Sequence, residues 1–172
     1  MIGLYIFIIA AISFRLFMLM ISIRHERRLR AKGAAEFGVG NSRALALAHI
    51  AFYVAASTEG IFSFSSFGAL NLVGLGIYLF GAGMLLFVVR LLGPLWTVKL
   101  FIAGDHVLVK HPLFRYTRHP NYYLNIVPEL IGYALALHAP ITLIVGLPLY
   151  AIPLGIRIRQ EERVMRDRFA TY

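Results

Sequence analysis

Cysteine is absent from the chain. That excludes disulfide bonds, cysteine-ligated zinc and thiol nucleophiles. Carboxylates are scarce too: eight Asp and Glu stand against 17 Lys and Arg, for a formal net charge of +9. His106, His111 and His119 have the spacing of no common zinc set and no carboxylate cluster accompanies them, so no metal is expected. No stretch rich in Pro, Ser or Gly divides the 172 residues, and no internal repeat is visible, so 1–172 reads as one domain. The glycine pieces around Gly74–Gly76 and Gly81–Gly83 neither follow a strand nor complete G-x-G-x-x-G, which excludes a Rossmann cofactor loop. They suit close helix packing in lipid instead.

Apolar runs are what the chain has in excess. Its hydrophobic share is 59% and its mean hydropathy +0.74, against roughly 45–50% apolar residues in soluble domains. Five segments, 2–23, 43–61, 67–89, 122–138 and 140–156, approach the roughly 20 residues that cross a hydrocarbon core. The expected fold is therefore all-α, a polytopic transmembrane helical bundle of about five spans. The first run lacks a basic leader, carries Arg15 and is too long for a signal-peptide core, so it reads as a span.

Lys and Arg gather in alternate connections. Residues 24–42 carry Arg24, Arg27, Arg28, Arg30 and Lys32; residues 90–121 and the tail after 156 carry most of the remainder. The connections near Glu59–Ser66 and at His138–Pro140 carry none. The positive-inside rule then puts the N-terminus outside and the C-terminus in the cytoplasm. Cations in short flanking segments meet lipid headgroups, so membrane lipids are the expected partners and nucleic acid is not. The Ala139-Pro140 connection implies an antiparallel hairpin of the last two spans.

Two charges lie inside spans. Arg15 and Glu129 each sit about nine residues from the cytoplasmic side, roughly 13 Å deep. A charge in lipid is costly unless paired or facing a wet cavity, so the two are expected either to meet or to line a polar cavity with Asn125. The alternative is an ion pair that only fixes helix packing. His49 reads as a packed histidine.

The segment from Lys110 to Tyr123 mixes cations, imidazoles and aromatics with two His-Pro pairs. Proline keeps the preceding residue extended, and Pro120 suits a first helical turn. An interfacial basic and aromatic loop has the same composition. The tail Arg157 to Phe169 reads as a helix leaving the last span, with Arg157 and Glu161 on one face. The two clusters, in segments 90–123 and 157–172, are separated by one hairpin, which returns them to the same surface.

Arg118-His-Pro-Asn-Tyr122, then an apolar hairpin, then Arg157-Ile-Arg-Gln-Glu-Glu162, resembles the isoprenylcysteine carboxyl methyltransferase family of membrane-embedded enzymes. The first residues look like a bacterial branch that methylates hydroxyls of alkylpyrones or alkylresorcinols. The resemblance implies S-adenosylmethionine as cofactor, with Arg118, His119, Pro120, Tyr122 and Glu161 around it. It also implies Arg157 and Glu161 as catalytic residues acting on an oxygen of a lipophilic or prenylated acceptor. Pro112-Leu113-Phe114 stands where the family usually shows Gly-Pro-Tyr. A phospholipid-type N-methyltransferase and a non-catalytic lipid-binding protein of the same fold are the competing expectations.

Overall fold

The computed structural model describes residues 1–63, 66–102 and 111–168, without the side chains of Ile102, Arg115 and Arg168. His106 and Lys110 fall outside these residues. Among the described residues, four helices are long and apolar enough to cross a membrane: Ile2–Ala31 (α1), Val39–Ser63 (α2), Ala69–Leu95 and Thr142–Asp167. The third comprises Ala69–Leu92 (α3) and a 3₁₀ turn, Gly93–Leu95. The fourth comprises a π-helical stretch, Thr142–Gly146, and Leu147–Arg168 (α6). On α1 the buried residues Leu4, Ile8, Ala11, Met18, Ser22, Glu26 and Leu29 form one stripe, while Ile2, Ile6, Ile9 and Leu16 on other faces are exposed. Apolar residues beyond the packed stripe suit a lipid surround.

The expected span 122–138 is a short helix of almost the expected extent. Six π-helical residues, Asn121–Ile126, lead into ten α-helical ones, Val127–Ala136 (α5). Together they measure about 24 Å, less than the roughly 30 Å of a hydrocarbon core. Glu129, Leu130, Tyr133 and Ala134 are wholly buried, so this helix is enclosed by its neighbours. Both π stretches precede a proline, Pro128 and Pro148. A helical proline has no N–H and crowds the carbonyl four residues back; widening the preceding turn, as in the bond from Val127 N–H to Tyr122 O, absorbs the conflict,.

Glycine brings α3 and α5 together backbone to backbone. A Cβ on Gly132 would lie 2.2 Å from Tyr78 N, and one on Gly74 would lie 2.3 Å from Ala136 N. The hairpin turn uses His138 with φ of 58°. Glu59 of α2 then receives the first amides of the next helix, accepting from Ile141 N–H at 2.8 Å and Thr142 N–H at 2.7 Å. These are donors that a helix start leaves without partners.

One feature departs from an all-helical expectation. Ala35–Phe37 (β1) pairs antiparallel with Leu100–Ile102 (β2), with Glu36 opposite Phe101. Three-residue strands are too short to show an alternating pattern. The ribbon matters because it ties the chain after α1 to the segment after α3.

Candidate active site at one end of the bundle

The two clusters meet. Tyr122, on the π-helical turn, donates its hydroxyl proton to Glu161 Oε2 of α6 at 2.6 Å. His119 stacks on Tyr122 with ring centroids 5.7 Å apart. Its Nε2 lies 3.4 Å from Glu162 Oε1, and its Nδ1 lies 3.8 Å from Glu161 Oε1, the latter an ionic contact beyond hydrogen-bond length. Burial alone pushes the imidazole down. Hydrogen bonding and charge from Glu161 and Glu162 outweigh it and raise His119 above its ordinary value,.

Arg157 is 2% exposed and fastens three elements. Its Nε donates to Tyr122 Oη at 3.2 Å, Nη1 to Ser42 Oγ of α2 at 2.9 Å, and Nη2 to Val98 O at 3.1 Å. A guanidinium has five N–H donors in a rigid fork, so it serves as a corner brace here and still lines the neighbouring space.

That space is a cavity of about 200 Å³. Arg118, His119, Pro120, Tyr122, Arg157 and Glu161 all line it. Val88, Leu92, Leu95, Trp96 and Phe101 supply apolar lining. Among the described residues, two buried polar atoms of this wall have no hydrogen-bond partner: His119 Nδ1 and Trp96 Nε1. Such atoms are costly to leave unsatisfied, and a bound molecule offering acceptors would satisfy them.

Arg15, Asn125 and Glu129 come together elsewhere, and they do not line the cavity. Arg15 donates to Glu129, as does Tyr53 of α2. With its amide turned to meet its neighbours, Asn125 donates to Glu129 Oε2 at 3.1 Å and to Gly81 O at 3.2 Å. One carboxylate thus joins α1, α2 and α5, and Asn125 adds α3. His49 is packed against Tyr53, centroids 5.0 Å apart, with Nδ1 3.4 Å from Tyr150 Oη. His111, extended at φ −133° and ψ 143°, caps the short helix Pro112–Tyr116 (α4) by accepting from Leu113 N–H. Among the described residues no group of three or more His, Asp and Glu is placed to hold a metal.

Part of the cavity had no motif to mark it. Trp96, Lys99, Leu100 and Phe101 line it from a strap after α3. The one signal was Gly93-Pro94 directly after an apolar run, a stop and reversal; Gly93 takes φ of 53°.

An apolar helix bundle that gathers carboxylates, an imidazole and guanidinium groups round a cavity at one end has the layout of a membrane-embedded enzyme. Residues 73–167 match the isoprenylcysteine carboxyl methyltransferase (ICMT) family, and the chain belongs to that family of methyltransferases. An uncharacterized protein of Haemophilus influenzae is 46% identical over 158 residues, 92% of each chain. The uncharacterized protein YpbQ of Bacillus subtilis is 24% identical over 144 residues, 84% of this chain and 85% of its own. No solved structure matches the chain.

Proposed function

We propose that the protein is an S-adenosylmethionine-dependent methyltransferase that methylates an oxygen of a lipophilic acceptor reaching it from the bilayer. The cavity carries this reading: its lining unites polar residues from the two ends of the α5–α6 hairpin with apolar residues from the end of α3 and the strap after it. By the distribution of basic residues, the cavity opens to the cytoplasm.

The residues present fit the cofactor. Tyr122 offers a ring face to a sulfonium, Glu161 offers acceptor oxygens to a ribose diol, and His119 Nδ1 and Trp96 Nε1 await partners. Bound there, S-adenosylmethionine supplies an electrophilic methyl group for direct displacement, so the protein's part is positioning and exclusion of water. Tyr122, itself held by Arg157, holds Glu161 in place. A carboxylate acceptor needs no base at neutral pH. For a hydroxyl acceptor the proton passes to Glu161 Oε1, the oxygen not engaged by Tyr122,. Among the described residues, Lys99, Arg118 and Arg157 line the cavity and Glu161 is the one acidic lining residue. That excess of cations favours an oxygen acceptor over an amine. We read Arg15, Asn125 and Glu129 as the packing hub beneath this site.

Calorimetric titration of the purified protein with S-adenosylmethionine tests the reading, and a folded sample that binds none overturns it. Glu161→Ala and His119→Ala are each expected to abolish transfer of labelled methyl groups into a lipid extract. Full activity in both variants would displace the assigned roles.

A further inference from the structure

We propose that Lys99, held by Glu26, binds the amino-acid carboxylate of the cofactor, with Glu26 as its positioning residue. This rests on the S-adenosylmethionine reading above. One turn of α1 grips the strap that forms the cavity wall. Ser22 Oγ accepts from Val98 N–H at 2.9 Å, and His25 Nδ1 donates to Trp96 O at 2.8 Å. Ser22 also donates to Glu26 Oε1 at 3.1 Å, while Lys99 Nζ lies 2.9 Å from Glu26 Oε2.

Glu26 is 7% exposed, although its neighbours Arg24 and Arg27 face outward. Burying a carboxylate is costly unless it is paired, and the pairing has a geometric result. An unpaired lysine extends its ammonium into water; this one is drawn to α1 at the cavity's edge. The ammonium has three N–H donors, and Glu26 engages one.

The location selects the ligand group. Methyl transfer needs a reacting oxygen shielded from water, whereas the Lys99 side chain keeps 39% of its surface exposed. An exposed ammonium suits an anion that does not react and stays partly hydrated. The carboxylate is the anionic group of S-adenosylmethionine. Arg157, by contrast, is buried and already bonded to Tyr122, Ser42 and Val98.

The test compares two probes: S-adenosylhomocysteine, and the analogue identical except for its missing carboxylate. Parent, Lys99→Met and Glu26→Gln proteins are titrated with both. The parent is expected to prefer the carboxylate-bearing probe by about tenfold, the effect of one charge-assisted hydrogen bond at a partly exposed site. Lys99→Met should erase that preference and leave the affinity for the analogue unchanged. Glu26→Gln should reduce the preference, and adding Glu26→Gln to Lys99→Met should change nothing more. Equal loss of both probes in Lys99→Met, or a preserved preference, overturns the proposal. So does equal binding of both probes by the parent. If the parent binds neither probe, the cofactor reading itself fails, and this proposal with it.

Discussion

Replacing Arg15 by Met tests whether the Glu129 hub is a paired charge that holds the helices together. The side chain of Glu129 is 0% exposed and that of Arg15 20%, so the two partners are not equivalent. Without Arg15 the carboxylate remains sealed among Tyr53 and Asn125, both neutral donors. Breaking a buried pair this way costs about 3–5 kcal/mol. Without the charge of Glu129, as in Glu129→Gln, the less deeply buried Arg15 side chain still has a long stem with which to reach a wetter level,. That loss should be nearer 1.5–3 kcal/mol, roughly the cost of a hydrogen bond to a charged group. The double variant removes both charges, so its cost should fall short of the sum by about 2 kcal/mol. Unfolding in mixed detergent micelles can be followed by the fluorescence of Trp96, the chain's one tryptophan. Additivity within about 0.5 kcal/mol, or a larger loss in Glu129→Gln than in Arg15→Met, would refute the argument.

Gly132→Ala places a Cβ 2.2 Å from Tyr78 N and 2.7 Å from Gly74 O; both are backbone atoms, so the helices must part at a cost of about 1–3 kcal/mol. Gly76→Ala meets nothing within 4 Å and should leave the melting temperature unchanged or raised; equal loss in both variants would remove the close-packing account. His119 is raised above its ordinary value by Glu161 and Glu162, so the folded state binds its proton more tightly than the unfolded one. Its contribution is fully present below about pH 6.5 and is lost as pH rises through the folded value. The stability gap between parent and His119→Gln should therefore narrow from pH 6 to pH 8.5 in unfolding titrations; a gap that widens with pH would reverse the assigned sign.

The sequence displayed the membrane character plainly, because a long apolar run has few other uses. It also displayed the hairpin, since Ala139-Pro140 leaves no room for anything but a reversal. The juxtaposition of His119 and Tyr122 with Arg157 and Glu161 followed from that reversal. Three things were not legible. The π-helical turn Asn121–Ile126 at the start of the enclosed helix leaves no mark in an apolar run. The β1–β2 ribbon lies below the length at which alternation registers. The strap 96–101 carries no motif: its contacts to α1 run largely through backbone atoms of Trp96 and Val98, which any residue could supply. Ser22, His25 and Glu26 were likewise hidden among the arginines that mark topology.

These hidden contacts bear on where the site ends. The family match, 73–167, begins within α3 and ends within α6. Yet Arg157 is braced by Ser42, the strap by Ser22 and His25, and Glu129 by Arg15 and Tyr53, all from α1 and α2. A chain limited to 66–172 would keep every motif residue but leave Glu129 buried with Asn125 as its one remaining donor of those described. It would also strip Arg157 of one of its three partners. Such a piece should neither fold nor bind S-adenosylhomocysteine, and co-expression with residues 1–63 should restore both. Binding by 66–172 alone at the parent's affinity would show that α1 and α2 serve only as anchors. The expected rescue would instead make the first two helices part of the site's framework, because the polar groups they satisfy are the ones that fix Arg157 and the cavity wall.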